Sequence, residues 1–437
     1  TDDIDQCPST PTGETVDANG CSDSQKDTDG DGVTDDIDNC PTVANGYASE
    51  GTTVAGGNGL GSAANQLRSP YGIALDASGN LYITDQETHR IQKWAPGATE
   101  GTTVAGGNGQ GSAANQFHNP NGVTLDASGN LYISDYGNER IQMWAPGATE
   151  GTTVAGGNGR GSAANQLDEP QGITLDASGN LYIVDENNHR IQKWAPGATE
   201  GTTVAGGNFA GSNANQLDYP YGITLDASGN LYISDRSNQR IQKWAPGASE
   251  GITVAGLTDD AGSAANQLNY PIGITLDASG NLYIADYVNN RIQKWVPGAI
   301  EGVTVAGGNG NGSASNQLNY PFDITLDASG NLYISDSDNH RIQKWALGQL
   351  DSDGDGIGDV CDPDIDGDGV INDLDLCPST PTGETVDTNG CSDSQKDTDN
   401  DGVTDDVDEC PSTPTGEAVD ANGCSDSQKD TDNDGVI

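Results

Sequence analysis

Aspartates at a regular spacing are the residues of this sequence with the most definite chemistry. The stretch "DTDGDGVTDDID" at 27–38 places acidic side chains at positions 1, 3, 5, 9 and 12, and glycine at position 6. Alternate oxygens at this spacing can wrap a hard cation, the carbonyl of position 7 adds a ligand, and the glycine permits the sharp turn. The pattern recurs at 351–362, 364–375, 397–408 and 430–437. Copies in such a constant register are too specific for a solvated acidic linker.

Calcium is the cation that these loops suit. Several carboxylates within a few ångströms would repel one another strongly without a cation, and Ca²⁺ accepts all-oxygen ligation by protein better than Mg²⁺ does. The predicted calcium ligands are Asp27, Asp29, Asp31, Val33, Asp35, Asp38, Asp351, Asp353, Asp355, Ile357, Asp359, Asp362, Asp364, Asp366, Asp368, Val370, Asn372, Asp375, Asp397, Asp399, Asp401, Val403, Asp405, Asp408, Asp430, Asp432 and Asp434.

After three of the loops Cys-Pro follows almost at once, at 40–41, 377–378 and 410–411, which excludes an EF-hand because proline blocks a helix. The pattern "DxDxDGxxDxxDxCP", with the variant "CPSTPTGExVDxNGC", resembles thrombospondin type 3 repeats, over nearly all of 1–44 and 350–437. This resemblance implies a series of Ca²⁺ ions and disulfides with little hydrophobic core. Such a structure explains how so acidic a segment can be ordered.

All eight cysteines lie in these two flanks. An even number at regular spacings, without paired histidines, indicates disulfides and an oxidising compartment, and therefore a secreted or cell-surface protein. Three pairs share a separation of 14 residues, and each is predicted to close its own loop: Cys7 with Cys21, Cys377 with Cys391, and Cys410 with Cys424. Cys40 and Cys361 remain.

The charge of the chain restricts its partners. Its 66 acidic and 17 basic residues give a formal charge of −49, which argues against nucleic acid and anionic membranes because phosphate binding needs clustered cations. No apolar run approaches the roughly 18 residues of a membrane span. The chain begins and stops inside repeats, so we expect it to be a piece of something longer.

Between the flanks, residues 45–349 repeat with a period of 50, stretched to 51 near Asp259. Each copy holds four short apolar or alternating runs separated by turns such as "DASGN", which indicates one four-stranded β-propeller blade per copy. The six copies resemble NHL repeats, "PxGIxLDxxGNLYIxDxxxxRIQ". We interpret the tryptophan of each third strand as a core wedge between blades rather than a ligand site.

The last copy lacks its fourth strand, and an unpaired "GTTVAGG" at 51–57 precedes the first copy. We therefore predict that the N-terminal strand completes the last blade and closes the ring. The predicted fold class is all-β: a six-bladed propeller at 45–349, flanked by irregular calcium- and disulfide-stabilised repeats at 1–44 and 350–437.

The copies differ mostly on one face, in the residues around the proline of each first strand and in the loops between second and third strands. We predict a ligand-binding face around the channel mouth, rich in tyrosines and amides; drift of unconstrained loops is the alternative. The candidate ligand-binding residues directly follow the prolines and are Tyr71, Asn121, Gln171, Tyr221, Ile272 and Phe322.

Catalysis is not expected. Some NHL propellers are lyases that hold a metal by histidines just after this proline, and the matching positions here carry no histidine. His89, His189 and His340 occupy equivalent positions in separated blades, which leaves a metal site as a minor alternative. The aspartate that ends each second strand and the arginine five residues later recur in every blade, which suggests structural pairs.

The junction at Asp38–Gly57 indicates how the two kinds of repeat are connected. In type 3 repeats a "DNCPTVAN" segment is followed within a few residues by "DSDGDGIGDVCD", and the two cysteines pair; here the second half resumes near Leu350. The resemblance thus implies a propeller inserted into one type 3 repeat, with a Cys40–Cys361 disulfide at its neck. A closed ring tolerates this because its ends lie close together.

These observations predict a calcium-binding protein whose propeller is a non-catalytic binding module in adhesion or matrix interaction, with a protein or glycan ligand on the variable face. A repeating unit of an extracellular fibre, self-associating with neighbouring copies, is the alternative. A propeller hydrolase or lyase is a third alternative. It ranks last because the mouth lacks convergent titratable groups.

Overall fold

A computed structural model describes residues 50–346 without interruption, together with 367–370, 377, 380–381, 384–399, 401, 403–410, 412–414, 419–425 and 427–429. The chain divides into two compact units: Ala48–Leu347 is one, and Thr1–Tyr47 with Gly348–Ile437 is the other. No helix in the described ranges is long and apolar enough to cross a membrane.

Within the described residues, the first unit is a six-bladed β-propeller of four-stranded antiparallel sheets. In chain order the strands are β1 (Thr52–Gly56), β2 (Pro70–Leu75), β3 (Leu81–Asp85), β4 (Arg90–Trp94), β5 (Thr102–Gly106), β6 (Pro120–Leu125), β7 (Leu131–Asp135), β8 (Arg140–Trp144), β9 (Thr152–Gly156), β10 (Pro170–Leu175), β11 (Leu181–Asp185), β12 (Arg190–Trp194), β13 (Thr202–Gly206), β14 (Pro220–Leu225), β15 (Leu231–Asp235), β16 (Arg240–Trp244), β17 (Ile252–Gly256), β18 (Pro271–Leu276), β19 (Leu282–Asp286), β20 (Arg291–Trp295), β21 (Val303–Gly307), β22 (Pro321–Leu326), β23 (Leu332–Asp336) and β24 (Arg341–Trp345). Single-turn 3₁₀ helices span Gln86–Thr88, Tyr136–Asn138, Glu186–Asn188, Arg236–Asn238, Ser337–Asn339 and Asp393–Gln395.

The ring closes as predicted. β1 pairs antiparallel with β24, so the last blade has the strand order β1-β24-β23-β22. Thr52 lies opposite Lys344 and Gly56 opposite Arg341. The first and last strands of the propeller are thereby held in one sheet, and the last blade acquires its fourth strand.

The turn between the first two strands of each blade explains the repeated "DASGN". In the first blade, Asp76 Oδ1 accepts hydrogen bonds from the backbone N–H groups of Ser78 and Asn80, both at 2.9 Å. Gly79 has a φ of +77°, a conformation that favours glycine. The aspartate and the glycine together hold the hairpin, which accounts for their recurrence on this face of every blade.

The core lies between blades. Trp94 is 3% exposed and packs with Leu81 of its own blade and with Ala55 and Ile342 of the last blade. Equivalent clusters surround the other tryptophans whose contacts are described, for example Trp244 with Tyr182 and Ile191 of the preceding blade. The predicted role of tryptophan as a wedge between blades agrees with these contacts.

Candidate functional site

The six residues that follow the prolines meet at the mouth of the central channel, where they line one cavity of about 540 Å³. Each is the second residue of an innermost strand, so the ring of β2, β6, β10, β14, β18 and β22 places them in a single layer. Five of them are buried: Asn121, Gln171, Tyr221, Ile272 and Phe322. These positions therefore form the floor of the cavity rather than its walls.

One half of the floor is aromatic. The rings of Tyr71 and Phe322 stack with centroids 3.6 Å apart, and Tyr221 meets Phe322 edge-on at 5.2 Å. Ile272 completes this cluster, against which Tyr287 also packs. Burial raises the pKa of Tyr71 to about 12, so its hydroxyl stays protonated at any physiological pH.

The other half of the floor is a chain of hydrogen bonds. The side-chain amide of Asn121 donates to the Tyr221 hydroxyl at 2.6 Å and to the Gln171 carbonyl oxygen. The Gln171 amide in turn donates to Glu186. Buried polar networks of this kind fix side-chain orientations, so the polar half of the floor is preorganised.

The walls come from two further positions, which reach the cavity in some of the blades. The residue after the strand-ending aspartate contributes Gln86, Tyr136, Glu186, Arg236 and Tyr287, and the left-handed residue before the proline contributes Asn119, Glu169, Tyr219 and Tyr270. The sequence contains the signal for these residues, because both positions differ from blade to blade while the flanking strands do not. The predicted face includes these positions, but the candidate residues named from the sequence are only those after the prolines.

The charged wall residues are paired. Glu186 is 4% exposed, and its Oε1 lies 2.7 Å from Nη2 of Arg236. Burial is the largest influence on the Glu186 carboxyl and raises its pKa. Arg160 lies 2.6 Å from Glu169 and 3.1 Å from Glu139.

Below the floor, the innermost strands enclose a second cavity of about 250 Å³. Glycine occupies the third strand position in five blades because a Cβ there would collide with the next strand; at Gly72 it would lie 2.4 Å from the Asn121 carbonyl oxygen. The sixth blade carries Asp323 at this position. Its Oδ2 accepts the N–H of Ile73 in the first blade at 2.9 Å, and burial raises its pKa to about 6. The sequence shows this departure as "PFDITL", and we did not predict its importance.

The repeated aspartate–arginine pairs are structural. Asp85 lies 2.8 Å from Arg90 and is fully buried, and the guanidinium also donates to the carbonyl oxygens of Ser62, Ala63 and Gln66. These carbonyls belong to the segment that joins the preceding outer strand β1 to β2. Each pair thus fixes a connection between blades.

The histidines also connect blades. Nδ1 of His89, His189 and His340 accepts the backbone N–H of Asn119, Tyr219 and Ser69, respectively, in the following blade. Glu139, Gln239 and Asn290 accept the same bond at the other three junctions. The three histidines lie at separate junctions and act as backbone acceptors, so the structure does not bring them together as one metal site.

One predicted calcium loop lies largely within the described residues. Asp397, Asp399 and Asp401 each place a carboxylate oxygen within 4.8 Å of the others. Oδ1 of Asp399 and Oδ2 of Asp401 are buried without a hydrogen-bond partner, and such orphaned oxygens fit a cation. A Cβ at Gly423 would contact both Asp408 and Asp401, so Asp408 lies beside this group.

The remaining members of these loops are only partly described. Asp405 accepts hydrogen bonds from the N–H and hydroxyl of Thr398, which lower its pKa. The N–H of Val403 donates to Asp401, and that of Val370 to Asp368, which gives the two loops the same local geometry. The other predicted calcium ligands lie outside the described residues: Asp27, Asp29, Asp31, Val33, Asp35, Asp38, Asp351, Asp353, Asp355, Ile357, Asp359, Asp362, Asp364, Asp366, Asn372, Asp375, Asp430, Asp432 and Asp434.

Two of the predicted disulfides are present, Cys377–Cys391 and Cys410–Cys424. Beside each, a threonine hydroxyl donates to the carbonyl before the second cysteine: Thr380 to Gly390, and Thr413 to Gly423. The Cys7–Cys21 and Cys40–Cys361 pairs lie outside the described residues, as do residues 38–49 of the junction between the two kinds of repeat.

Comparisons with known proteins match both parts of the chain. The thrombospondin type 3 repeat model matches residues 17–47, 350–384 and 387–417. The NHL repeat model matches residues 67–94, 117–143, 167–194, 217–244, 268–295 and 318–345. An alpha-agarase from Alteromonas agarilytica is 56% identical over 48 residues, which cover 11% of this chain and 3% of the length of that enzyme.

Two solved structures from Bacteroides thetaiotaomicron have a similar fold. A protein of unknown function has a TM-score of 0.52 at 20% identity, over 68% of this chain and 75% of that chain. An auxiliary nutrient binding protein has a TM-score of 0.51 at 15% identity, over 68% of this chain and 76% of that chain. At these identities the likeness is one of fold. The chain contains six NHL repeats, which form a six-bladed β-propeller, and thrombospondin type 3 repeats in the same sequence.

Proposed function

We propose that this chain is a secreted or cell-surface calcium-binding protein whose propeller recognises a protein or glycan ligand at the channel mouth, without catalysis, in adhesion or matrix interaction. The observation that carries the proposal is the cavity of about 540 Å³ built from the positions at which the blades differ. The turns of the opposite face repeat "DASGN" in every blade. A concave site with an aromatic half and a few oriented polar groups is the usual form of a binding pocket.

Two further features support recognition rather than catalysis. Both carboxylates that line the cavity are engaged in ion pairs: Glu169 with Arg160, and Glu186 with Arg236. A general acid or base needs instead a carboxyl that is free to exchange a proton with the substrate. The flanking repeats belong to a calcium-binding family, and calcium-ordered arms suit the presentation of a binding domain outside the cell.

The test uses the chain in calcium-containing buffer on arrays of glycans and matrix proteins. Tyr287→Ala, which removes a ring from the cavity wall, should weaken by about tenfold or more the binding that the wild type shows. Phe209→Ala is the matched control, because Phe209 is 88% exposed and lies outside the cavity. Binding that Tyr287→Ala leaves unchanged contradicts a site at the mouth, and calcium-dependent self-association without other ligands favours the fibre alternative. Release of a chemically altered ligand contradicts the non-catalytic assignment.

A further inference from the structure

The cavity at the channel mouth divides into chemically different sides. Tyr71, Tyr270, Tyr287 and Phe322 bring aromatic rings from the fifth, sixth and first blades. The second, third and fourth blades bring the polar side chains Asn121, Gln171, Glu186 and Arg236, together with the rings of Tyr136, Tyr219 and Tyr221. A ligand that fills this space must therefore offer an apolar surface on one side and hydrogen-bonding groups on the other.

The charges around the cavity disfavour an anionic ligand. Arg160 is shared among Glu139, Asp168 and Glu169, at 3.1, 3.3 and 2.6 Å. This cluster therefore has more carboxylates than cations, on a chain whose overall formal charge is −49. Carboxylated or sulfated ligands would meet repulsion at this wall.

A cationic ligand is disfavoured for a different reason, because the protein already supplies a cation. The guanidinium of Arg236 lies over the rings of Tyr221 and Tyr219, at 5.3 and 5.9 Å from their centroids. The same guanidinium pairs with Glu186. An ammonium group at Tyr219, Tyr221 or Glu186 would have to displace Arg236 from these aromatic faces or from its buried carboxylate.

The remaining chemistry is that of an uncharged molecule with many hydroxyls. A hydroxyl donates and accepts, so it can bond the carboxylate oxygens of Glu186 and the amides of Asn121 and Gln171 in the same pose. The C–H face of a pyranose ring is apolar and can lie on the aromatic side. We propose that the cavity binds a neutral saccharide, read by Glu186, Gln171 and Asn121 and held against Tyr287. This inference rests on the function proposed above and specifies its ligand.

The experiment measures binding of the 437-residue chain, in calcium, to immobilised neutral oligosaccharides of glucose, galactose and mannose. The same assay presents their uronic and sulfated counterparts, amino sugars and peptides. The neutral sugars should bind and the acidic ones should not. Affinity for the best neutral oligosaccharide is then measured calorimetrically for three variants. Glu186→Gln should weaken it about tenfold, because a charge-assisted hydrogen bond becomes a neutral one.

The tyrosine variants separate the aromatic contact from the hydroxyl. Tyr287→Phe should bind as the wild type does, and Tyr287→Ala should lose about tenfold or more. Unchanged tryptophan fluorescence shows that each variant is folded, since all six tryptophans belong to the propeller. Binding of an acidic, amino or peptide ligand that depends on Tyr287 overturns the neutral-saccharide inference but retains the recognition function. Failure of every ligand to bind, or binding that the mouth variants leave unchanged, overturns both.

Discussion

Replacement of Asp323 by asparagine should stabilise the propeller at neutral pH and not at pH 4. The burial of its carboxyl in the channel raises the pKa from 3.8 to about 6, so the folded protein binds this proton more tightly than the unfolded chain. Its favourable contribution is therefore complete below pH 4 and is lost as the pH rises through 6. This rise in pKa corresponds to a cost of about 3 kcal/mol for burying the charged carboxylate at pH 8.

Asparagine removes the charge and keeps one oxygen as an acceptor for the N–H of Ile73. The bond from Ile324 to the second carboxylate oxygen is lost, at a cost of about 1 kcal/mol. The net expected gain in unfolding free energy is then about 2 kcal/mol at pH 8, against a small loss at pH 4. Urea denaturation followed by tryptophan fluorescence measures both values. Asp338→Asn is the matched control because it removes a charge from an exposed residue of the same blade. An equal gain at both pH values, or in the control, refutes the argument.

The other predictions concern the connections between blades and the calcium loops. Arg190→Ala should lower the unfolding free energy by about 3 to 5 kcal/mol because it leaves Asp185 buried without the arginine that pairs with it. Arg68→Ala, which removes an exposed ion pair, should lower it by less than about 1 kcal/mol. Urea denaturation compares the two variants. His189→Gln should keep the wild-type stability, because Gln239 accepts the equivalent hydrogen bond at another junction. His189→Ala should lose about 1 kcal/mol in the same assay. Equal losses in the two variants would contradict a stabilising bond from Tyr219 to His189. EDTA should expose the flanking repeats around 397–408 to protease and leave the tryptophan fluorescence unchanged; flanks that stay protected would argue against the calcium assignment.

The fold was accessible from the sequence because repetition multiplies weak signals. A single "LYITD" run does not distinguish a strand from a buried helix segment, but six copies of the same four-run unit indicate a blade. The pairing of β1 with β24 followed from counting, since the last copy lacked one strand and the first had one too many. The disulfides of Cys377 and Cys410 followed similarly from a spacing shared by several pairs.

The site was only half predictable, and the reason is geometric. The layer formed by the residues after the prolines follows from the ring, but the sequence does not show which neighbours rise above that layer. Glu186 and Arg236 come from adjacent blades and form an ion pair 50 residues apart, which depends on side-chain reach. The sequence does not show the importance of Asp323, because that depends on how closely the innermost strands approach one another. This close approach requires glycine at Gly72 and at the equivalent glycines of other blades.

The structure also bears on whether the variable positions drifted. Independent drift would leave exposed differences, and some exist: Ile252 and Ile300, where several other blades carry threonine, are 64% and 87% exposed. The floor is different, because its side chains pack against one another across blades, as Tyr71 does against Phe322.

Packing requirements can explain that complementarity without any ligand, so the walls carry more information. Glu186 and Arg236 form a partly buried ion pair beside the cavity, and such pairs contribute little net stability compared with apolar residues of similar size. Stability alone gives no reason to place a carboxylate and a guanidinium at the mouth of this channel. A ligand that hydrogen-bonds to both of them does.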